Sequence, residues 1–138
     1  MAQVVEMAAA LRNELDLVRV LWLRGRIDAG LGRERVAEAA FEQVRQAFRE
    51  REIAYDFAKA TLGLAVLLSG QGRTAEVKVL ATQTLWIFEA QRVHGEAQKA
   101  LRLFCDAAEA ERLTVELARR ILRYLEKAQH SPGLRFEE

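Results

Sequence analysis

Several groups of side chains in this 138-residue chain have types and spacings that bear on chemistry, and each meets a simpler reading. Gly30-Leu31-Gly32 and Gly70-Gln71-Gly72-Arg73-Thr74 are glycine pairs of the kind that cradle phosphates. A dinucleotide fingerprint needs a preceding strand and a P-loop needs a Gly-Lys-Ser/Thr ending, and neither surrounds them. His94 and His130 lie far apart, with the lone thiol Cys105 to join them, so no zinc ligand spacing is assembled. A nucleophilic Cys105 would need a neighbouring base and partial exposure. It falls instead on an apolar helical stripe and reads as a small core residue. General acid–base work needs paired carboxylates in unlike environments. Glu34, Glu38 and Glu42 run down one exposed helix side opposite Arg35 and Arg45, which is i, i+4 pairing. Arg119, Arg120 and Arg123 form a basic cluster suited to RNA or an acidic protein, yet arginine outnumbers lysine along the whole chain. No catalytic, cofactor-binding or metal residue is expected, and the chain reads as a non-enzyme.

Composition points to the elements that must position any remaining surface. The chain is 51% hydrophobic and 30% charged, with a single proline, and Ala, Glu, Lys, Leu and Arg make up well over half of it. That bias predicts a nearly all-helical protein long enough for a sizeable core. A net charge of +1 argues against duplex DNA, which wants a basic face. One cysteine excludes an intrachain disulfide. No apolar run reaches the roughly 18 residues of a membrane span, and no basic-then-apolar signal pattern opens the chain. The expectation is a cytoplasmic protein that binds neither membrane nor nucleic acid.

Sliding the sequence by 40 residues superposes like on like. Gly30 falls on Gly70, Phe48 on Phe88, Ile53 on Val93, Asp56 on Glu96, Ala60 on Ala100 and Ala65 on Cys105. Arg19, Lys59 and Lys99 stack in one column. Within each period the apolar spacing is helical, as in Ala37, Ala40, Phe41, Val44, Ala47 and Phe48. Glycines after the stripes supply positive-φ turns, with Thr74 and Thr114 as N-caps. Asn13 ends a first helix, and Ser131-Pro132-Gly133 stops the last. Seven helices are predicted, near 2–12, 14–30, 34–51, 53–70, 74–91, 93–110 and 114–129. Residues 2–12 align with the end of the 34–51 helix, Val4 on Val44 and Ala8 on Phe48, as the remnant of an earlier repeat. The organisation expected is a truncated preceding-repeat helix over 1–12, a helical repeat domain over 13–130 and a tail over 131–138. Val4, Val5, Met7 and Leu11 make a poor polar cap, which suggests a longer protein or packing on another copy.

The repeat resembles the tetratricopeptide repeat, in the long-helix variety of bacterial regulatory and signalling proteins. Leu21, Gly25, Gly32, Ala37, Phe41 and Val44 occupy the family's signature places in the first full repeat, and Thr61, Ala65, Gly72, Val77, Ala81 and Thr84 in the second. In the third, Leu101 and Cys105 match, Arg112 replaces the turn glycine, and Leu117, Ile121 and Tyr124 restore the pattern. The repeat-ending proline is missing, and the period exceeds the family's usual one.

The resemblance implies a right-handed superhelix of antiparallel helix pairs acting as a protein–protein interaction scaffold. Carrying over the family's groove positions names Arg19, Trp22, Arg26, Lys59, Leu62, Val66, Lys99 and Arg102 as partner-binding residues. Ser69 and Asp106 flank them. An apolar strip rimmed by charge suits a protein or peptide partner, acidic ones in particular. The plainer reading is that these are solvated positions, with Trp22 packed on the N-terminal helix. The alternative role is an oligomerisation or spacer segment of a larger multidomain regulator, forming homo-oligomers. Trp86 either covers a helix junction or marks a contact surface on the convex side. The tail Leu134–Glu138 either docks on its own last helices or enters a neighbour's groove.

Overall fold

The computed structural model describes residues 2–91, 95–131 and 134–136, with side chains from Arg12 onward apart from Val115. Six α-helices and no strand are present among the described residues. They are α1 (Ala2–Gly30), α2 (Glu34–Glu50), α3 (Ala54–Gly70), α4 (Thr74–Ala90), α5 (Gly95–Glu109) and α6 (Val115–His130).

The expected seven helices become six because Asn13 does not break the chain. α1 runs unbroken through 29 residues. A single exposed asparagine costs a helix only a few tenths of a kcal/mol, and Ala-Leu-Arg before it and Glu-Leu after it favour continuation. The expected apolar face at Val4, Val5, Met7 and Leu11 falls on side chains outside the described residues, as do His94, Pro132 and Gly133.

The α1–α2, α2–α3, α3–α4 and α5–α6 turns share one geometry. In each, an amide beyond the helix donates to a carbonyl five residues back: Arg33 to Asp28, Ile53 to Phe48, Arg73 to Leu68 and Arg112 to Ala107. The residue before each donor has positive φ: Gly32 (78°), Glu52 (56°), Gly72 (75°) and Glu111 (55°). This is the hydrogen-bond pattern of a Schellman-type stop, which wants glycine. Two of the four turns use glutamate. Thr74 is the first residue of α4 rather than its cap, since Arg73 holds the cap position without a side-chain bond. Thr114 caps α6 as expected, accepting from the Leu117 amide at 3.0 Å.

α2 and α4 are equal in length and begin 40 residues apart, as the sequence offset predicts. Core phenylalanines recur along the layer: Phe41, Phe57, Phe88 and Phe104 are all at most 2% exposed. Each helix from α1 to α5 packs on the next, and α5 on α6. The last helix then departs from the register. α6 also packs firmly on α3, whereas α4, its equivalent one repeat earlier, makes no contact with α1. α6 therefore folds back across the layer instead of extending it.

Candidate functional site

The face of α3 that the sequence nominates as a groove is the face α6 crosses. At its N-terminal end sits Asp56, 6% exposed. Its Oδ1 receives Lys59 Nζ at 3.0 Å and Gln129 Nε2 of α6 at 3.0 Å. Lys59 closes the ring by donating to Gln129 Oε1 at 2.8 Å. Arg19 of α1 approaches the other oxygen, Oδ2, at 3.8 Å, and that oxygen makes no hydrogen bond. Desolvating a carboxylate is costly unless it is paired and hydrogen-bonded. Lys59 and the Gln129 amide meet that demand at Oδ1 and tie α3 to α6, while Arg19 reaches Oδ2 from α1 only at ion-pair distance.

This changes the meaning of the predicted residues. Arg19 and Lys59 do converge, but on an internal carboxylate, so they are not an open basic column awaiting an acidic partner. Lys99 and Arg102 are exposed on α5, where Arg102 lies 3.9 Å from Glu89. α5 does not pack on α3, so the expected third layer of the column is not brought to the first two. Leu62, expected to be exposed, is 1% exposed. Trp22 is 9% exposed, with its ring 5.1 Å from Phe41, and a Cβ on Gly63 would come within 3.0 Å of it. Glycine at 63 thus makes room for the indole. The plainer reading of Trp22 as a packing residue is nearer the observed one, though its partners are α2 and α3.

Arg26 and Val66 remain accessible. They line an open cleft of about 500 Å³ between α1, α3 and α6, together with Leu67, Leu122, Arg119 and Arg123. The floor is apolar. Arg26 stacks 5.6 Å over Trp22 and reaches Glu126 at 3.8 Å. Arg119 and Arg123 are exposed one helical turn apart and make no ion pair among the described residues. Sequence reasoning singled out these two arginines but not their place beside Arg26 and Val66, because only the fold-back of α6 joins them. Asp56 and Gln129 were missed as well. The offset that aligns Asp56 with Glu96, and the Asp56–Lys59 spacing of three, were the available signals.

Other polar groups serve the core. Arg45, 8% exposed, donates to Thr61 Oγ1 at 2.8 Å and covers the Phe57 ring at 4.9 Å. Burial pulls its pKa below the usual arginine value, partly opposed by Glu42. The Cys105 thiol donates to the Ala81 carbonyl at 3.1 Å and is pushed up to about 11, first by burial and then by Asp106, Glu109 and Glu89. Such a thiol is a poor nucleophile. Residues 134–136 of the tail dock on the chain's own helices. Phe136 is 4% exposed against Tyr124, the Arg120 guanidinium lies 5.2 Å from its ring, and its amide donates to Glu96. Trp86 is 67% exposed and covers no junction. Among the described residues no cluster of three or more His, Cys, Asp or Glu is placed to hold a metal, and no helix is long and apolar enough to cross a membrane.

No family model matches the chain, no curated protein matches it, and no solved structure matches it.

Proposed function

We propose that this chain is a non-catalytic protein-binding scaffold, built on tetratricopeptide-like helix pairs, whose partner enters the α1–α3–α6 cleft. The observation that carries the reading is the pairing of an apolar floor at Val66, Leu67 and Leu122 with two arginines, Arg119 and Arg123, that make no ion pair among the described residues. Such a cleft rewards a segment that buries one or two apolar side chains and sets a carboxylate against the guanidinium forks. A cleft held between packed helices loses little freedom on binding, so most of that contact energy appears as affinity. Arg26, already shared between Glu126 and Trp22, orients the rim more than it attracts.

A random peptide library selected on the folded chain tests this. The expected result is enrichment of apolar sequences flanked by Asp or Glu, lost with Arg119→Glu/Arg123→Glu and kept with Arg112→Glu at the distant α5–α6 turn. No enrichment, or enrichment indifferent to the cleft arginines, would overturn the reading. The assembly alternative has its own support in the exposed apolar stripe of α1.

A further inference from the structure

α1 and the first residue of the turn after it carry five of the exposed large apolar side chains among the described residues. Leu17, Val20, Leu23, Ile27 and Leu31 are 69, 50, 54, 61 and 62% exposed, and they fall at helical spacing on one side. The 40-residue offset shows what that side is. Leu17, Val20 and Ile27 correspond to Phe57, Ala60 and Leu67 of α3, which are 1, 0 and 8% exposed. Phe57 is covered by α2, whose Arg45 guanidinium lies over its ring.

The flanking surface repeats the correspondence. Asp28, Val36, Ala39 and Gln43 line a groove between α1 and α2, and Leu68, Glu76, Val79 and Gln83 line the same groove between α3 and α4. Glu42 of α2 closes the second groove. The first has no α2-like helix beside it.

The chain also holds the matching helix. Subtracting the offset from α2 lands on the first residues of α1, with Val4 in the place of Val44 and Ala8 in that of Phe48. α1 is continuous, so this segment cannot turn back onto its own groove. It projects instead: α2 ends beside Glu14, where Arg51 Nη2 meets Glu14 Oε2 at 3.1 Å, and the preceding turns of α1 run past that end. One chain thus carries both an α2-like helix it cannot use and a groove missing one. A symmetric exchange satisfies both at once.

We propose that α1 pairs antiparallel with α1 of a second copy of this chain. The two-fold axis passes between Arg12 and Leu17, and residues 2–12 of each copy cover Leu17 and Val20 of the other. The dimer is an exchange of the α2-equivalent helix, and it leaves the α1–α3–α6 cleft open in both copies.

Size-exclusion chromatography with light scattering tests this on the full chain at micromolar concentration. The wild type is expected at twice the 15.6 kDa chain mass. Leu17→Glu/Val20→Glu halves the mass with an unchanged far-UV spectrum, while Val79→Glu on the outer face of α4 leaves the dimer intact. A wild-type monomer, a higher oligomer, or a dimer indifferent to Leu17→Glu/Val20→Glu overturns the proposal. A readout free of interface substitutions uses spin labels in a Cys105→Ser background. Labels on Asn13→Cys in the two copies are expected close together, and labels on Arg33→Cys far apart. The reverse order, or no interchain distance at all, overturns it too.

Discussion

Removing the Asp56 carboxylate tests how α6 is held, and its cost can be worked from the contacts. Asp56→Ala takes the charge partner from Lys59, whose side chain is only 16% exposed, and the acceptor from Gln129. A hydrogen bond to a charged group is worth about 1.5–3 kcal/mol, and breaking a buried pair from one side costs roughly 3–5 kcal/mol. Two features pull the figure down. Lys59 sits near enough to solvent to turn outward, and Oδ2 of Asp56 is desolvated without a hydrogen bond, so its removal relieves a penalty. Arg19, half exposed at 3.8 Å, adds little after screening. We expect a loss of about 2–3 kcal/mol, or roughly 8–12 °C in Tm for a chain of this size. Asp56→Asn, which keeps an acceptor for Gln129, should lose about half as much. Because α6 is the element being released, amide hydrogen exchange should accelerate along Val115–His130 more than along α2 or α4. A loss below about 0.5 kcal/mol, or exchange rising uniformly, would refute the claim that this cluster pins α6.

Four further outcomes follow from the packing and the buried titratable groups. Gly25→Ala gains up to about 1 kcal/mol of helix propensity but sets a Cβ 2.8 Å from the Phe41 ring, which Trp22 holds in place. Overpacking of about 1–3 kcal/mol should win, lowering the melt, whereas Gly30→Ala, with open space around it, should not. Glu52 holds a left-handed conformation at φ 56°, so Glu52→Gly should raise stability by about 0.5–1 kcal/mol in urea unfolding. Alkaline pH should destabilise the fold, because burial raises Cys105 to about 11 and Tyr124 to about 12. Both stabilise the folded state fully below their unfolded values and lose that contribution as pH climbs through roughly 9 to 12. Urea midpoints should therefore fall across that window and stay flat from these two groups below it. Thiol labelling at pH 8 should stay slow until the chain unfolds.

The helices were legible because each repeats a local pattern. Of the stripe Ala37, Ala40, Phe41, Val44, Ala47 and Phe48, all are buried except the half-buried Ala47, and the expected limits of α2 to α6 lie within two residues of those observed. The continuity of α1 was not, since Asn13 carries a turn preference too weak to overcome its neighbours. Glu52 and Glu111 hid two turns that packing imposes on residues with no special aptitude for them. The candidate site was half legible. The tetratricopeptide resemblance named Lys59, Leu62 and Val66 on one face of α3 but not what lies across it. That is decided by long-range packing of α6, whose stripe Leu117, Ile121, Tyr124 suits either an extended stack or a fold-back. Arg26 and Val66 kept their place in a cleft, whereas Trp22 and Leu62 exchanged an expected surface for the core.

The path of α6 is the premise on which the cleft rests, and cysteine cross-linking reads it directly. In a Cys105→Ser background, Lys59→Cys/Gln129→Cys should be joined within the chain by a short bis-maleimide, because those two side chains meet across α3 and α6 at 2.8 Å. Lys59→Cys/Lys99→Cys, neighbours in a regular column of stacked repeats, should not be. Rapid linkage of 59 to 99, with none between 59 and 129, would contradict the fold-back of α6 and the cleft built on it.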